Sequence, residues 1–412
     1  MSDIRILTAD DFDALVALWA DAYPGAKIED RARFKERLLK VQQEDPTTNF
    51  YGLFREGHLL GIMCLYDFVS NFLGARVPTG GVGQIAVHLA HKKEHVAKEM
   101  VDYFLHHYRD RGAPLAALYP FRPDFYRAMG FGYGTKMNQY RLKPAALPKG
   151  PSKAHVRYLT EADKPALAAC YQRVAEHTHG MMDKTERELR RLFANPEQRL
   201  VGCELDGEIR GYVAFGFEQG ETFITNDLHI REFIYETREA LAELLTFLHT
   251  QADQIRHIYV ETQDEDWHFL PLDPRNDSGR LIPDVYHETN AQGVGLMYRV
   301  LDVAAMFDRL TGRDFGGQTC TLKLTVADSF MPENAGSLLL RFEAGQVQRL
   351  DGGPHDVQVR LDIAEFSSLL AGAVRFSSLY RYGLVAISDE AWIDTIERLF
   401  AVAQKPVCTT SF

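Results

Sequence analysis

Two stretches of this chain hold groups whose types and spacing could do chemistry together. The first is Ile85-Ala86-Val87-His88-Leu89-Ala90-His91-Lys92-Lys93-Glu94-His95-Val96-Ala97-Lys98. It reads as an apolar strand, a basic loop, and the start of a helix running to about residue 110. The first turn of a helix has backbone N–H groups without intrahelical partners, and aligned peptide dipoles put partial positive charge there. Such a strand-to-helix turn is a site for an anion, a phosphate above all, and Lys92 and Lys93 add charge to it. The second stretch is Phe125-Tyr126-Arg127-Ala128-Met129-Gly130-Phe131-Gly132, a late helix that leaves through Gly130 as a C-terminal cap. A tyrosine brought beside an anion site is a plausible proton donor.

The elements that must position these groups occur twice. Ile4-Arg5-Ile6-Leu7-Thr8-Ala9-Asp10-Asp11-Phe12 returns as Val156-Arg157-Tyr158-Leu159-Thr160-Glu161-Ala162-Asp163-Lys164. Each copy reads as a short strand, a threonine cap and a helix with an acidic first turn. Gly52, Gly57 and Gly61 in a hairpin are matched by Gly202, Gly207 and Gly211, where Asp206-Gly207 is a strong turn signal. Two echoes in register predict a duplicated domain. Between the copies, the proline- and glycine-bearing run from Lys143 to Ser152 reads as a linker. The second copy lacks a basic loop between residues 226 and 250. Beyond residue 295, a strand through Leu296-Met297-Tyr298-Arg299-Val300-Leu301-Asp302-Val303, a helix near 305–310, alternating strands at 319–326 and 357–361, and helices near 365–373 and 390–400 predict an α+β domain.

Composition bounds the rest. A chain of 412 residues exceeds one core, so several domains are expected. A net charge of −11 disfavours a nucleic-acid partner and would suit a cationic one. The five cysteines are scattered without metal-ligand spacing, which predicts reduced thiols, no metal site and a cytoplasmic location. His177 and His179 lack an evident third ligand. No apolar run is long enough to span a bilayer, and the N-terminus has no signal pattern.

The two chemical stretches resemble the cofactor motifs of the GCN5-related N-acetyltransferase (GNAT) superfamily. Lys92 and Ala97 fall on the first and last positions of its Arg/Gln-x-x-Gly-x-Gly/Ala loop, with His95 where the middle glycine stands. Glycine lets backbone approach a ligand without a Cβ in the way. A histidine there narrows that approach, while its ring offers a phosphate a donor. The resemblance implies acetyl-CoA as cosubstrate, with Ile85 and Val87 giving backbone contacts to the pantetheine and Lys92, Lys93, His95 and Val96 surrounding the pyrophosphate. It makes Tyr126 the general acid that protonates the coenzyme A sulfur. Glu94 reads as a carboxylate at the helix start, and Asp21, Tyr23 and Glu29 as an acidic wall of the substrate pocket or a solvated face.

The whole arrangement is similar to the Eis (enhanced intracellular survival) family. That implies two tandem GNAT-like α/β domains over 1–148 and 149–295, the second degenerate, followed by a sterol-carrier-like α+β domain over 296–412. The resemblance implies a cytoplasmic N-acetyltransferase for primary amines, aminoglycosides among them, assembled as a hexamer and working by direct transfer. It also implies that the last carboxylate, that of Phe412, is the general base; the apolar ending Val407-Cys408-Thr409-Thr410-Ser411-Phe412 agrees with a tucked-in tail. Two other readings stay open: a non-catalytic ligand-binding protein on a decayed core, and transfer of a longer acyl group. The amine, the acyl preference and lipid binding by the third domain are not legible.

Overall fold

The computed structural model describes residues 2–26, 28–222 and 225–412. They form two compact units, one of residues 1–134, 296–403 and 411–412, the other of 135–295 and 404–410. No described helix is long and apolar enough to cross a membrane.

The first unit opens with β1 (Asp3–Ile6), α1 (Phe12–Ala22), α2 (Arg31–Glu44), β2 (Thr48–Arg55), β3 (His58–Phe72) and β4 (Ala75–Val87). It continues with α3 (Val96–Asp110), β5 (Leu115–Leu118), α4 (Pro123–Arg127) and β6 (Gly132–Tyr133). Thr8 and Asp11 close a capping box before α1, and Arg5 donates to Asp11 at 2.8 and 2.9 Å. That guanidinium holds the Asp11 carboxyl well below the usual carboxylate range. The β2–β3 hairpin turns on Glu56 and Gly57, both with positive φ, the geometry whose twist matches antiparallel strands. The buried face of α3 packs Val96, Met100, Val101, Phe104 and Leu105 into the core with Tyr126 and Phe131.

The second unit repeats these devices. Its elements are β7 (Met137–Leu142), β8 (Val156–Tyr158), α5 (Lys164–His177), α6 (Glu186–Ala194), β9 (Gln198–Leu205) and β10 (Glu208–Glu218). They are followed by β11 (Asn226–Tyr235), α7 (Arg238–His249), β12 (Ile255–Thr262), a small hairpin of β13 (Leu281–Ile282) and β14 (Tyr286–His287), and β15 (Asn290–Gly293). Thr160 and Asp163 form the matching capping box, with Arg157 on Asp163 at 2.7 Å. Asp206 and Gly207 make the matching hairpin turn.

The remaining elements are β16 (Met297–Val300), α8 (Val303–Arg309), β17 (Cys320–Ala327), β18 (Gly336–Glu343), β19 (Gln346–Leu350), β20 (Val357–Asp362), α9 (Ile363–Leu370), α10 (Phe376–Arg381), β21 (Val385–Ile387) and α11 (Ile393–Phe400). A five-stranded sheet runs β19-β18-β17-β20-β21.

The sheet orders show a reciprocal exchange. The first sheet is β1-β2-β3-β4-β5-β16-β6, and the second is β15-β7-β12-β11-β10-β9-β8. β16 lies antiparallel between β5 and β6; β7 lies antiparallel between β12 and β15. Each copy therefore takes the strand lying beyond its neighbour's segment. The boundary expected at residue 148 falls after a strand of the second sheet, and the strand expected to open the third domain completes the first sheet. Hydrophobic pattern identified both strands but not their partners, because pairing is non-local.

β16 also ties the first sheet to the turn that leaves β17. Arg299 is fully buried and its Nη2 donates to both carboxylate oxygens of Asp328, at 2.9 and 2.7 Å. Asp328 also accepts from the N–H groups of Phe330 and Met331 and from Asn334 Nδ2, and Asn334 in turn holds Val300 O and Val303 N. Leaving one member of such a buried pair alone costs about 3–5 kcal/mol, more than replacing both with apolar groups. Asp328→Ala is therefore expected to lower the stability of the full-length protein by about that amount in urea unfolding, and Arg299→Met combined with Asp328→Leu by clearly less. Equal losses would contradict the pairing as described.

Candidate active site

The site begins where two parallel strands part. β4 and β5 pair only at Thr79↔Leu115, Gly80↔Ala116 and Gly81↔Ala117, yet β4 runs on to Val87. Against β3, the register steps from Ile62↔Ala86 to Cys64↔Gly83, so β4 carries one extra residue there. Gln84 takes a left-handed φ of 52° at that step. A bulge bends the strand and sharpens its twist, which turns the end of β4 away from β5 and opens a wedge of backbone.

The last residue of the chain lies in that wedge. The ring of Phe412 meets Phe68 at 4.9 Å, Tyr119 at 5.2 Å and Tyr66 at 5.5 Å between centroids. Tyr119 stands just past the end of β5. A Cβ placed on Gly83 would come within 2.9 Å of the Phe412 carboxyl carbon, and one on Gly81 within 3.2 Å of its ring. The run Gly80-Gly81-Val82-Gly83 inside a strand was the available signal, since strand glycines mark close backbone approach. Sequence reasoning passed over those glycines and the three aromatic residues.

The basic loop spans residues 88–95 between β4 and α3. Lys93 and His95 hold φ of 68° and 63°, and His95 is the residue preceding the helix. His95, which stands where the superfamily's loop has its middle glycine, thus takes a left-handed backbone, a region in which histidine is among the better-tolerated residues. Its side chain is exposed, as are those of Lys92 and Lys93, whereas Val96 is buried and anchors the loop to the core. Among the described residues, no hydrogen bond uses the backbone N–H groups of residues 92–98. Consecutive free N–H groups around left-handed residues form a concave anion cradle, so these residues fit a pyrophosphate. Glu94 does not sit in the first helical turn; it pairs with His91 at 3.0 Å and Arg55 at 3.6 Å, bracing the loop from outside.

Tyr126 is buried on α4, edge-on to Phe125 and Phe131 at 5.2 and 5.9 Å. Burial, with a smaller effect from neighbouring Tyr23, pushes its pKa up to about 12. Tyr23 donates to the carbonyl of Ile85 at 2.9 Å, on the bulged end of β4. The structure thus brings Tyr23 and Ile85 together beside Tyr126, while Asp21 and Glu29 lie exposed. Val87 ends β4, half-buried, at the mouth of the loop.

The second unit differs at the equivalent place. β11 runs to Tyr235 and α7 begins at Arg238 with Thr237 as its cap, leaving only residues 236–237 between them. There is no room for a loop. The ladder of β11 with β12 also ends early, at His229↔Tyr259. Here Tyr212 donates to Glu232 at 2.6 Å and Lys184 pairs with the same carboxylate at 2.9 Å. Residues 404–410 belong to this unit. Val407 N donates to His179 O, Thr135 Oγ1 to Pro406 O, and Thr409 meets Tyr171 OH at 3.2 Å. Among the described residues, no group of three or more His, Cys, Asp and Glu side chains is placed to hold a metal ion.

The family described as "Acetyltransferase (GNAT) domain" matches residues 3–134, and a second family of the same description matches residues 180–300. The "Sterol carrier protein domain" family matches residues 307–409. No curated protein matches the sequence. Among solved structures, a GCN5-related N-acetyltransferase from Anabaena variabilis ATCC 29413 has a TM-score of 0.83 at 18% identity. A probable N-acyltransferase from Enterococcus faecalis V583 has 0.81 at 18%, and Eis1 from Mycobacterium abscessus 0.77 at 22%. Each likeness covers 100% of both chains and is one of fold. The chain carries two acetyltransferase (GNAT) domains followed by a sterol carrier protein domain, the build of a GNAT-type acetyltransferase.

Proposed function

We propose that this protein is an Eis-like N-acetyltransferase that moves the acetyl group of acetyl-CoA directly to a primary amine. GNAT domains use acetyl-CoA as cosubstrate, and the first domain retains the parts such a cosubstrate needs. Ile85 and Val87 on the parted end of β4 would face the pantetheine. The N–H groups of Lys92, Lys93, His95 and Val96 would hold the pyrophosphate, with the two lysines adding charge. The observation that carries the reading is the placement of Phe412: its carboxyl carbon lies against Gly83, where β4 and β5 diverge.

In the proposed reaction the amine nitrogen attacks the thioester carbon, forming the C–N bond as the C–S bond breaks. The proton lost by nitrogen goes to the Phe412 carboxylate, and the Tyr126 phenol gives its proton to the leaving thiolate. An α-carboxylate is a weak base in water, with a pKa near 3.5, and removing water from it strengthens it. The ring box holds the Phe412 side chain, and with it the carboxylate, at the wedge. Burial keeps the phenol in its neutral, donating form.

The second copy, lacking the loop, serves as scaffold, and the natural substrates are small amines, aminoglycoside-like or polycationic ones included. We propose 1–148, 149–295 and 296–412 as the inherited segments beneath the strand exchange. A cytoplasmic location and a hexameric assembly complete the proposal. Calorimetry with acetyl-CoA, followed by a thiol-release screen over a panel of amines, tests it; absence of both binding and release rejects it.

Tyr126→Phe and deletion of Phe412 should each cut turnover about 100-fold or more, the scale of acid–base groups, and near-normal rates would reject those roles. Gly83→Ala should displace the terminus, so carboxypeptidase releases phenylalanine at least about tenfold faster than from wild type as the local opening becomes cheaper; equal release contradicts the contact. A phenol raised to about 12 is protonated below that pH and is lost as an acid only above it. Turnover should therefore show no downturn from this group up to about pH 10. A limb at lower pH that vanishes in Tyr126→Phe would contradict the burial effect.

A further inference from the structure

The helix carrying Tyr126 is too short to hold itself in place. α4 spans only Pro123–Arg127, and one helical turn is unstable alone in water, so its position comes from tertiary contacts. Its aromatic face packs into the core of its own sheet and α3, and its C-terminal end is held by the sterol carrier domain. Arg127, next in sequence to Tyr126, pairs with the carboxylate of Glu365 in the first turn of α9. The Glu365 side chain is 7% exposed, and every residue of α9 is buried. The guanidinium of Arg127 also lies over the Tyr133 ring at 5.6 Å.

The exit from α4 is locked against the same helix. Gly130 has φ +82°, and a Cβ there would come within 1.5 Å of Arg299 Nη1 and 2.7 Å of Ile363 Cγ2. At Gly132 a Cβ would lie 2.2 Å from Ala364 O and 2.5 Å from Ser368 Oγ. Ser367 Oγ accepts from Val300 N at 3.0 Å, which joins α9 to the exchanged strand β16. The segment 126–132 is thus clasped from one side by α9. Burial of a carboxylate is costly unless it is paired, so Glu365 gains by keeping Arg127, and with it the C-terminal end of the Tyr126 helix, in one place.

We propose that α9 of the sterol carrier domain is a brace for the active site, in which Glu365 and Arg127 are positioning residues that aim the Tyr126 phenol. This rests on the reading of Tyr126 as general acid, and it gives the third domain a part in acetyl transfer that requires no lipid.

Two measurements on the full-length protein test it. In amide hydrogen exchange, Glu365→Gln should lose about tenfold or more protection over residues 123–131, with residues 198–262 unchanged, because local opening is set by local contacts. The exchanged pair Arg127→Glu with Glu365→Arg should recover part of that protection, and Arg127→Lys should retain more than Arg127→Met. In thiol release, Glu365→Gln should lower kcat about tenfold with KM for acetyl-CoA within about twofold, the signature of lost aim and not lost binding. Placed on Tyr126→Phe, the same change should cost less than about twofold more, since coupled residues are not additive. Unchanged exchange overturns the brace. An equal kcat loss in both backgrounds overturns its action through Tyr126. Full turnover in Tyr126→Phe alone overturns the general-acid reading beneath it, and the exchange data then still decide the brace.

Discussion

A parallel sheet satisfies its backbone only while its strands stay side by side, and in this protein β4 and β5 do so for three residue pairs. The extra residue in β4 at Gln84 drives the strands apart and leaves the edge of β4, from about Gly83 onward, without its neighbour. Buried peptide groups demand partners, so such a wedge has to be filled from elsewhere. Part of the filling is Phe412, seated among Tyr66, Phe68 and Tyr119 and pressed on Gly83. The tyrosine of α4 and the N–H groups ahead of α3 flank the same divergence. One irregular residue in one strand therefore decides where the last residue can seat.

The duplicated framework shows what happens when that arrangement is kept in part. Both copies retain the capping box with its arginine, the two-residue hairpin turn and the glycines under their helices. These devices set the β-sheet and its first helix, and they serve stability. The copies differ where chemistry needs a loop: residues 88–95 in the first, residues 236–237 in the second. With that loop gone, helix α7 begins at a threonine cap that consumes the Ala240 N–H at 3.1 Å, and the second sheet carries a Tyr212–Glu232–Lys184 network instead. Exchange of β7 and β16 between the sheets means that neither copy is completed by its own contiguous sequence.

Much of this was legible in the residues because the signals are local. Asp206-Gly207 dictates a turn, Thr160 and Asp163 dictate a helix start, and the basic loop before an amphipathic run dictates α3. What escaped sequence reading was non-local. The strand character of residues 296–303 is plain, but nothing in that run names β5 as its partner. Tyr66, Phe68 and Tyr119 carry no signal of their own in the sequence, and only the placement of Phe412 among them gives them a part. His95 was the instructive departure. A side chain where glycine was expected suggested a narrowed cradle; the backbone there takes a φ of 63°, a left-handed conformation that glycine enters freely and histidine at a small cost.

Acid and base in one cleft must be kept in opposite protonation states, and the two groups proposed here reach those states by different means. The phenol of Tyr126 is buried by its own sheet, by α3 and by Phe131, and desolvation, with a smaller effect from Tyr23, pushes it up to about 12, well clear of neutral pH. It is a stored proton, and burial secures it without a charged partner. The carboxylate at Phe412 is ionised by default, because a chain terminus starts from a low pKa. Its task is to be brought close and relieved of water, and that is a matter of placement: glycines in β4 that admit backbone, and three rings that hold the last side chain. Using the terminus as base has a structural consequence. No side-chain carboxylate needs to be buried in β4 or β5, where an unpaired charge would cost several kcal/mol. The wedge can then stay lined by glycine and aromatic residues, which is the composition its close backbone approaches require.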